Sequence, residues 1–213
     1  MSKGEDKREY WNSLLTEKSW QILQDLRREY NFILIGGWAV YLFTKQQKSK
    51  DIDIVVGINE LEKLKGRGLG KNDNLKKYEI KKEEIDVDIY VEHYSKLAIP
   101  VEDIKNYTAK IEGFEVVKAE LLILLKQAAF KSRENSIKGE KDKIDIVSLA
   151  LFADIDLDLY IKIAKKYKLE EFVDELKKVI NSFNDYHSLE LTLQELKRMK
   201  NDFILKWKRI KTK

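Results

Sequence analysis

The chain has 213 residues, 43% hydrophobic and 37% charged, with a net charge of +4, so it can bury a sizeable core in one large or two small domains beneath a densely charged surface. It has no cysteine and only two histidines, His93 and His187, which excludes a disulfide framework and thiolate metal sites and argues against zinc. No apolar run reaches membrane-spanning length and MSKGEDKREY lacks the apolar core of a secretory leader, so the expected location is the cytoplasm, with no membrane partner.

In chain order, residues 5–30 predict a helix, with Trp20, Leu23, Leu26 and Tyr30 as its core stripe and Thr16 as an N-cap. Phe32 to Ile35 then reads as a buried strand ending at Gly36-Gly37. A short amphipathic segment and a basic loop, Lys45 to Lys50, lead into Asp51-Ile52-Asp53-Ile54-Val55-Val56, a half-buried strand. Strand alternation puts Asp51 and Asp53 on one face, their Cα atoms roughly 6–7 Å apart, so both carboxylates can converge on one or two divalent cations. Paired glycines where a strand turns into a helix let backbone N–H groups approach a triphosphate. A phosphate cradle followed by a carboxylate pair is the equipment of phosphoryl and nucleotidyl transfer, although a Gly-rich turn beside a surface Asp pair has the same lettering.

Asn59 and Glu62 match a capping box for a short helix through Leu64, and Gly66 to Gly70 reads as a flexible loop. That loop is neither a Walker A nor a dinucleotide motif, because no strand feeds it and no Gly-Lys-Ser/Thr follows. Residues 75–82 and 85–91 predict two strands. In the second, Ile85, Val87, Ile89 and Val91 face one way and Asp86, Asp88 and Tyr90 the other. Pro100 opens a helical turn, IEGFEVV is a short strand, and His93 is a surface residue rather than a base.

From Lys118 the pattern turns helical, which divides the chain into 1–117 and 118–213. On the first of these helices Lys126 and Arg133 lie seven residues apart on one face, so they need an anion or an acidic partner. Asp142 and Asp145 on the next helix could be that partner, in a salt-bridged hairpin. Asp154-Ile155-Asp156 repeats the Asp-x-Asp lettering with no glycine pair before it, and reads as a loop and N-cap. Two more helices follow, about 157–167 and 170–183. Thr192 and Glu195 form a capping box for the last helix, whose stripe is Leu193, Leu196, Phe203, Trp207 and Ile210. Residues 196–213 carry eight Lys or Arg (197, 198, 200, 206, 208, 209, 211, 213) against Asp202 alone, leaving 33 basic and 36 acidic residues elsewhere. Such a tail suits a polyanionic partner, and equally a solvated helix face.

Gly36-Gly37, thirteen residues, then Asp51-x-Asp53 between apolar residues resembles the signature of the polymerase β-like nucleotidyltransferase superfamily. That resemblance implies that the glycines hold the β- and γ-phosphates, that Asp51 and Asp53 hold Mg²⁺ (or Mn²⁺), and that a neighbouring strand supplies a third carboxylate. Asp86 or Asp88 could be that carboxylate, and Asp88 is preferred as the more central. Lys126 and Arg133, then Lys141-Asp142-x-x-Asp145, are similar to the downstream motifs of AbiEii-type nucleotidyltransferases, which include toxins of toxin–antitoxin systems. By this likeness Lys126 and Arg133 contact the NTP, while Lys141, Asp142 and Asp145 shape the site. Ser49 and Lys50 would help hold the triphosphate. Many relatives carry an Arg shortly before that Ser, but here Gln47 and Lys48 stand there, so Lys48 or Lys50 would supply the charge.

The expected architecture is α/β (α+β): a small mixed sheet with flanking helices, and a C-terminal helical domain closing the other wall of a cleft. The expected reaction is transfer of an NMP from an NTP to an acceptor hydroxyl, in first place an RNA or tRNA end met by the basic tail, with a cognate antitoxin as a further partner. A small-molecule or protein acceptor, or a non-catalytic nucleotide-binding module, are the alternatives.

Overall fold

The computed structural model describes residues 3–82 and 84–211, and the side chains of 13–82 and 84–209. The chain divides into two units, residues 1–41 with 48–117, and residues 42–47 with 118–213. The Ile210, Lys211 and Lys213 side chains of the expected stripe and basic tail lie outside the described residues.

The first unit carries α1 (Lys3–Glu29), β1 (Ile33–Ile35), the start of α2 (Gly36–Thr44), β2 (Ile52–Val56), α3 (Ile58–Leu64), β3 (Gly70–Asn72), β4 (Lys77–Lys82), β5 (Ile85–Val91), β6 (Thr108–Ile111) and β7 (Phe114–Val117). Its strands form one seven-stranded mixed sheet, in the order β3-β4-β5-β2-β1-β7-β6. β2 runs parallel to β5 and antiparallel to β1, and β1 runs parallel to β7. The fold is thus α/β with a mixed sheet, as expected, and the sheet has seven strands.

Apolar alternation fixes the register. Ile52, Ile54 and Val56 of β2 and Ile85, Val87, Ile89 and Val91 of β5 are all buried, and they share one face. A one-residue slip would send every one of them to the opposite face, so the pairing is strongly specified. Leu23 and Leu26 of α1 are buried as expected. Trp38 of α2 packs on Trp20 at 4.9 Å between ring centroids, and its indole N–H donates to the buried Ser19 hydroxyl at 2.8 Å.

Three local expectations are corrected. Thr16 does not cap α1: the helix runs through it, and its hydroxyl donates back to the Ser13 carbonyl at 2.9 Å. Asn59 does not cap α3, which begins one residue earlier behind Gly57. Gly66 to Gly70 is not simply a loop, since residues 65–67 form a 3₁₀ turn, Gly68 is left-handed and β3 starts at Gly70. Arg67 anchors that turn to Glu29 and to the Tyr30 hydroxyl, the latter at 2.8 Å.

The second unit is helical: α4 (Ala119–Arg133), α5 (Ile137–Phe152), α6 (Leu157–Lys166), α7 (Glu171–Ser182) and α8 (Leu193–Lys211). Three of its helices, α5, α6 and α8, begin on side-chain caps, the last two as the sequence announces. Ser136 accepts from Gly139 N–H, Asp156 accepts from Leu159 N–H, and Thr192 and Glu195 cap each other's backbone N–H groups reciprocally at 2.8 and 3.2 Å. Asp154-Ile155-Asp156 is therefore a cap and not a second acid motif. Inside, Tyr160 donates to the Gln127 carbonyl oxygen, and the Gln127 amide donates to the Phe172 carbonyl, each at 2.8 Å. Leu196, Phe203 and Trp207 of the expected α8 stripe are buried, whereas Leu193, in the first turn, is exposed. No helix among the described residues is long and apolar enough to cross a membrane.

Candidate functional site

Three carboxylates stand in one row across the sheet of the first unit. Glu79 on β4 pairs with Asp88 on β5, and Asp88 pairs with Asp53 on β2. The next residue in the row is Ile35, and Gly36 follows it directly. Adjacent strands lie about 4.8 Å apart, so the row gathers negative charge that only cations can balance.

Gly36 has φ of +69°, in the left-handed region where side chains are strained. A Cβ added there would come within 2.6 Å of Asp53 Cγ and 2.7 Å of Asp53 Cβ. The strand-to-helix turn therefore presses against the Asp53 carboxylate, and the two halves of the glycine–aspartate motif meet in space. α2 starts at this turn, and its first N–H groups, which no helical carbonyl satisfies, favour negative charge there. Gly37 is buried immediately behind.

The remaining sequence candidates of this unit lie in the turn before β2 and on β5. Asp51 immediately precedes β2 rather than lying within it. The buried Ser49 hydroxyl donates to the Asp51 carbonyl at 3.0 Å, which shapes the turn into the strand. Lys48 and Lys50 are exposed on either side. Of the two choices on β5, Asp88 is half-buried beside Asp53, whereas Asp86 is exposed opposite Lys81.

The sequence did not single out Glu79, nor the two residues that complete the row. Lys77 on β4 places its Nζ 2.6 Å from Asp88 Oδ2 and 3.3 Å from Glu79 Oε1. Asn72 on β3 donates to Glu79 Oε1 at 2.7 Å. Burial pushes the Asp88 carboxyl above the ordinary range; Lys77 offsets this in part, and the charges of Glu79 and Asp51 add to the rise. Burial works against the Lys77 charge, yet its hydrogen bonds to Asp88 and Glu79 hold it above the usual lysine value. The Asn72 hydrogen bond and then Lys77 hold Glu79 below the usual carboxylate range, against the opposing effect of burial. Once β4 is paired with β5, strand alternation reaches Lys77 and Glu79. Lys77 and Glu79 share a face of β4, and the hairpin register carries that face to Asp88.

Among the described residues no three carboxylates or histidines already form a metal cage. Mg²⁺ does not need one, because it is bound through one or two carboxylates plus waters and substrate phosphates. Asp51, Asp53 and Asp88 supply hard oxygen donors of that kind, and the Lys77 ammonium shows that Asp88 accepts a cation at this position. The donor set fits a hard divalent ion.

The other sequence candidates gather in the second unit. Lys126 Nζ on α4 lies 3.2 Å from Asp142 Oδ1 and 2.7 Å from Asp145 Oδ2 on α5. Arg133 lies 2.7 Å from Asp142 Oδ2. The side chains of Asp142 and Asp145 are only 2% and 3% exposed. This is the salt-bridged hairpin that the spacing of Lys126 and Arg133 allowed. Lys141 lies beside it, half-buried. Gly139 lets the first turn of α5 close on the end of α4, since a Cβ there would come within 2.9 Å of the Glu134 carbonyl oxygen.

No family model matches the sequence, and neither does any curated protein. Among solved structures the chain is similar to JHP933 from Helicobacter pylori, with 22% identity over 94% of this chain and 95% of that one and a TM-score of 0.49. It is also similar to a candidate nucleotidyltransferase from H. pylori, at 23% identity over 93% and 97% with a TM-score of 0.47. A third is an antigenic nucleotidyltransferase-like protein from Paracoccidioides brasiliensis, at 16% identity over 76% and 92% with a TM-score of 0.41. At this distance those names describe those proteins, and what the present chain can do follows from its own residues.

Proposed function

We propose that this chain is a metal-dependent nucleotidyltransferase that moves an NMP from an NTP to an acceptor hydroxyl. The observation that carries this reading is the contact between the Gly36 turn and Asp53, with Asp88 beside Asp53 in register. It joins a phosphate-binding turn to a carboxylate pair, as the nucleotidyltransferase resemblance of the sequence requires.

Asp51, Asp53 and Asp88 would hold Mg²⁺ or Mn²⁺, which when bound neutralises charge on the triphosphate and the leaving group. The backbone N–H groups of the Gly36-Gly37 turn would bind the phosphates, with Lys48 and Lys50 adding charge from solvent. The acceptor oxygen attacks the α-phosphorus, the bond to the β-phosphate oxygen breaks, and pyrophosphate leaves. By the superfamily resemblance Asp88 would also help to take the hydroxyl proton. By the AbiEii-type resemblance Lys126, Arg133 and Lys141 would contact the triphosphate as well, with Asp142 and Asp145 shaping that contact. Lys126 and Arg133 would then have to exchange their carboxylate partners for phosphate oxygens, which requires the α4–α5 pair to open.

The acceptor we propose is an RNA end, and the same resemblance would make the protein a toxin with a cognate antitoxin. The support is α8, which exposes Lys197, Arg198, Lys206, Lys208 and Arg209 while its opposite side is buried. Lys200 is not part of this surface: its ammonium donates to the Asn181 and Phe183 carbonyls and closes the end of α7. Deleting residues 197–213 would strip Phe203 and Trp207 from the core, so charge reversal at the exposed positions is the proper probe.

The test incubates the protein with Mg²⁺, each α-labelled NTP in turn and total RNA, with Asp51→Ala/Asp53→Ala as control. Label entering RNA with the wild type alone is the expected result, and it would be reduced by reversing Lys206, Lys208 and Arg209 to Glu. Label entering a protein or a small molecule instead would move the acceptor. Absence of both NTP and metal binding would overturn the reading.

A further inference from the structure

We infer that Lys77 is a tethered counter-ion that competes with the divalent cation for Asp88, and that Glu79 is the second carboxylate that receives Lys77 when the metal takes Asp88. The inference rests on reading Asp88 as a metal ligand.

The geometry is specific. Lys77, Glu79 and Asp88 have side chains only 12%, 19% and 17% exposed, so water does not disperse their charges as it would for a surface pair. Lys77 Nζ sits nearer Asp88, at 2.6 Å, than Glu79, at 3.3 Å. A hard divalent ion on Asp88 would bond a carboxylate oxygen at about 2.1 Å and stand within a few ångströms of the Lys77 ammonium, and repulsion between the two cations favours withdrawal of the lysine. Lysine suits withdrawal, because its ammonium is a compact charge on a flexible four-carbon stem.

Glu79 is placed to take the charge up. It lies two residues along β4 on the same face, already contacts Lys77, and is oriented by Asn72 at 2.7 Å. When Lys77 moves, its ammonium therefore stays paired, and Asp88 exchanges a monovalent partner for a divalent one. With Lys77 alone the row of three carboxylates keeps two uncompensated negative charges, which a divalent ion would balance. Lys81 provides the natural comparison. It is on the same strand and face, exposed, and opposite Asp86 rather than Asp88.

The experiment measures Mn²⁺ affinity of the full chain by titration calorimetry without nucleotide. Wild type is compared with Lys77→Met, Glu79→Gln, Lys81→Met and Asp51→Asn/Asp53→Asn, and thermal melts check that each is folded. Lys77→Met is expected to bind Mn²⁺ roughly tenfold more tightly, the scale on which one adjacent opposite charge shifts a carboxylate's cation affinity. Glu79→Gln is expected to bind severalfold more weakly, because Lys77 then has Asp88 as its sole carboxylate partner in the row. Lys81→Met should change affinity by less than about twofold, as expected of an exposed charge. Equal or weaker binding by Lys77→Met, no loss in Glu79→Gln, or an equal gain in Lys81→Met would each overturn the inference. The two opposite signs cannot arise from general misfolding. If wild type binds no Mn²⁺, or binding survives Asp51→Asn/Asp53→Asn, the metal-site reading itself falls, and the inference with it.

Discussion

The two units each contain a lysine between two carboxylates, and the contrast between them is instructive. Lys77 joins Asp88 and Glu79 on an open sheet face, where the acids keep 17% and 19% of their side-chain surface. Lys126 joins Asp142 and Asp145 between α4 and α5, where they keep 2% and 3%, and Arg133 locks Asp142 from a second side. Identical groups at similar distances thus have different physical roles. A sealed ion cluster is costly to break but unable to exchange partners without opening the helix pair. A half-open one contributes less to stability, and its partners can be replaced by a ligand.

The largest effect should come from the sealed cluster. Lys126→Met leaves Asp145 without its lysine in a buried position, and should destabilise the chain by about 3–5 kcal/mol. Urea denaturation measures it. A loss below about 1 kcal/mol would mean that water reaches Asp145, and the contrast with Lys77 would collapse.

Next comes the turn beside the open row. Gly36→Ala places a Cβ against Asp53 at a left-handed φ, and should cost about 1–3 kcal/mol of stability. It should also displace the Asp53 carboxylate and remove Mn²⁺ binding, which Lys126→Met should leave intact if the variant is assayed below its melting temperature. A Gly36→Ala protein with normal Mn²⁺ binding would show that Asp53 does not hold the cation.

Much of this was legible in the sequence, and the misses have physical causes. Period-two alternation in IDIVV and IDVDIYV placed Asp53 and Asp88 on one face, because the buried isoleucines and valines leave the strands a single register. Thr192 with Glu195, and Asp156, announced their helices because a cap is a local hydrogen bond that needs no tertiary partner. Asn59 with Glu62 had the same lettering and failed, since α3 starts behind Gly57. Lys77 and Glu79 stayed hidden because their meaning depends on pairing with β5, a contact between strands that composition does not encode. The pairing of Lys126 with Asp142 and Asp145 was visible only as one of two alternatives. An apolar helix that carries a cation declares the need for an anion without naming it.

The smallest effect completes the series at a helix cap on the surface. Glu195 caps Thr192 N–H and its hydroxyl at the start of α8, and those hydrogen bonds hold its carboxyl below the usual range. A depressed folded value means that the stabilisation is present above the unfolded glutamate value of about 4.3 and is lost as pH falls through the lower folded value. Glu195→Gln keeps the capping geometry and removes only the charge. Wild type should therefore melt slightly higher than the variant at neutral pH, and the two curves should converge as the pH drops below about 4. Salt should shrink the neutral-pH difference, as it does for exposed charges, while leaving that of Lys126→Met nearly unchanged. If the Glu195 difference instead persisted in acid, glutamine would not be reproducing the cap, and the charge of Glu195 would not be the source of the difference.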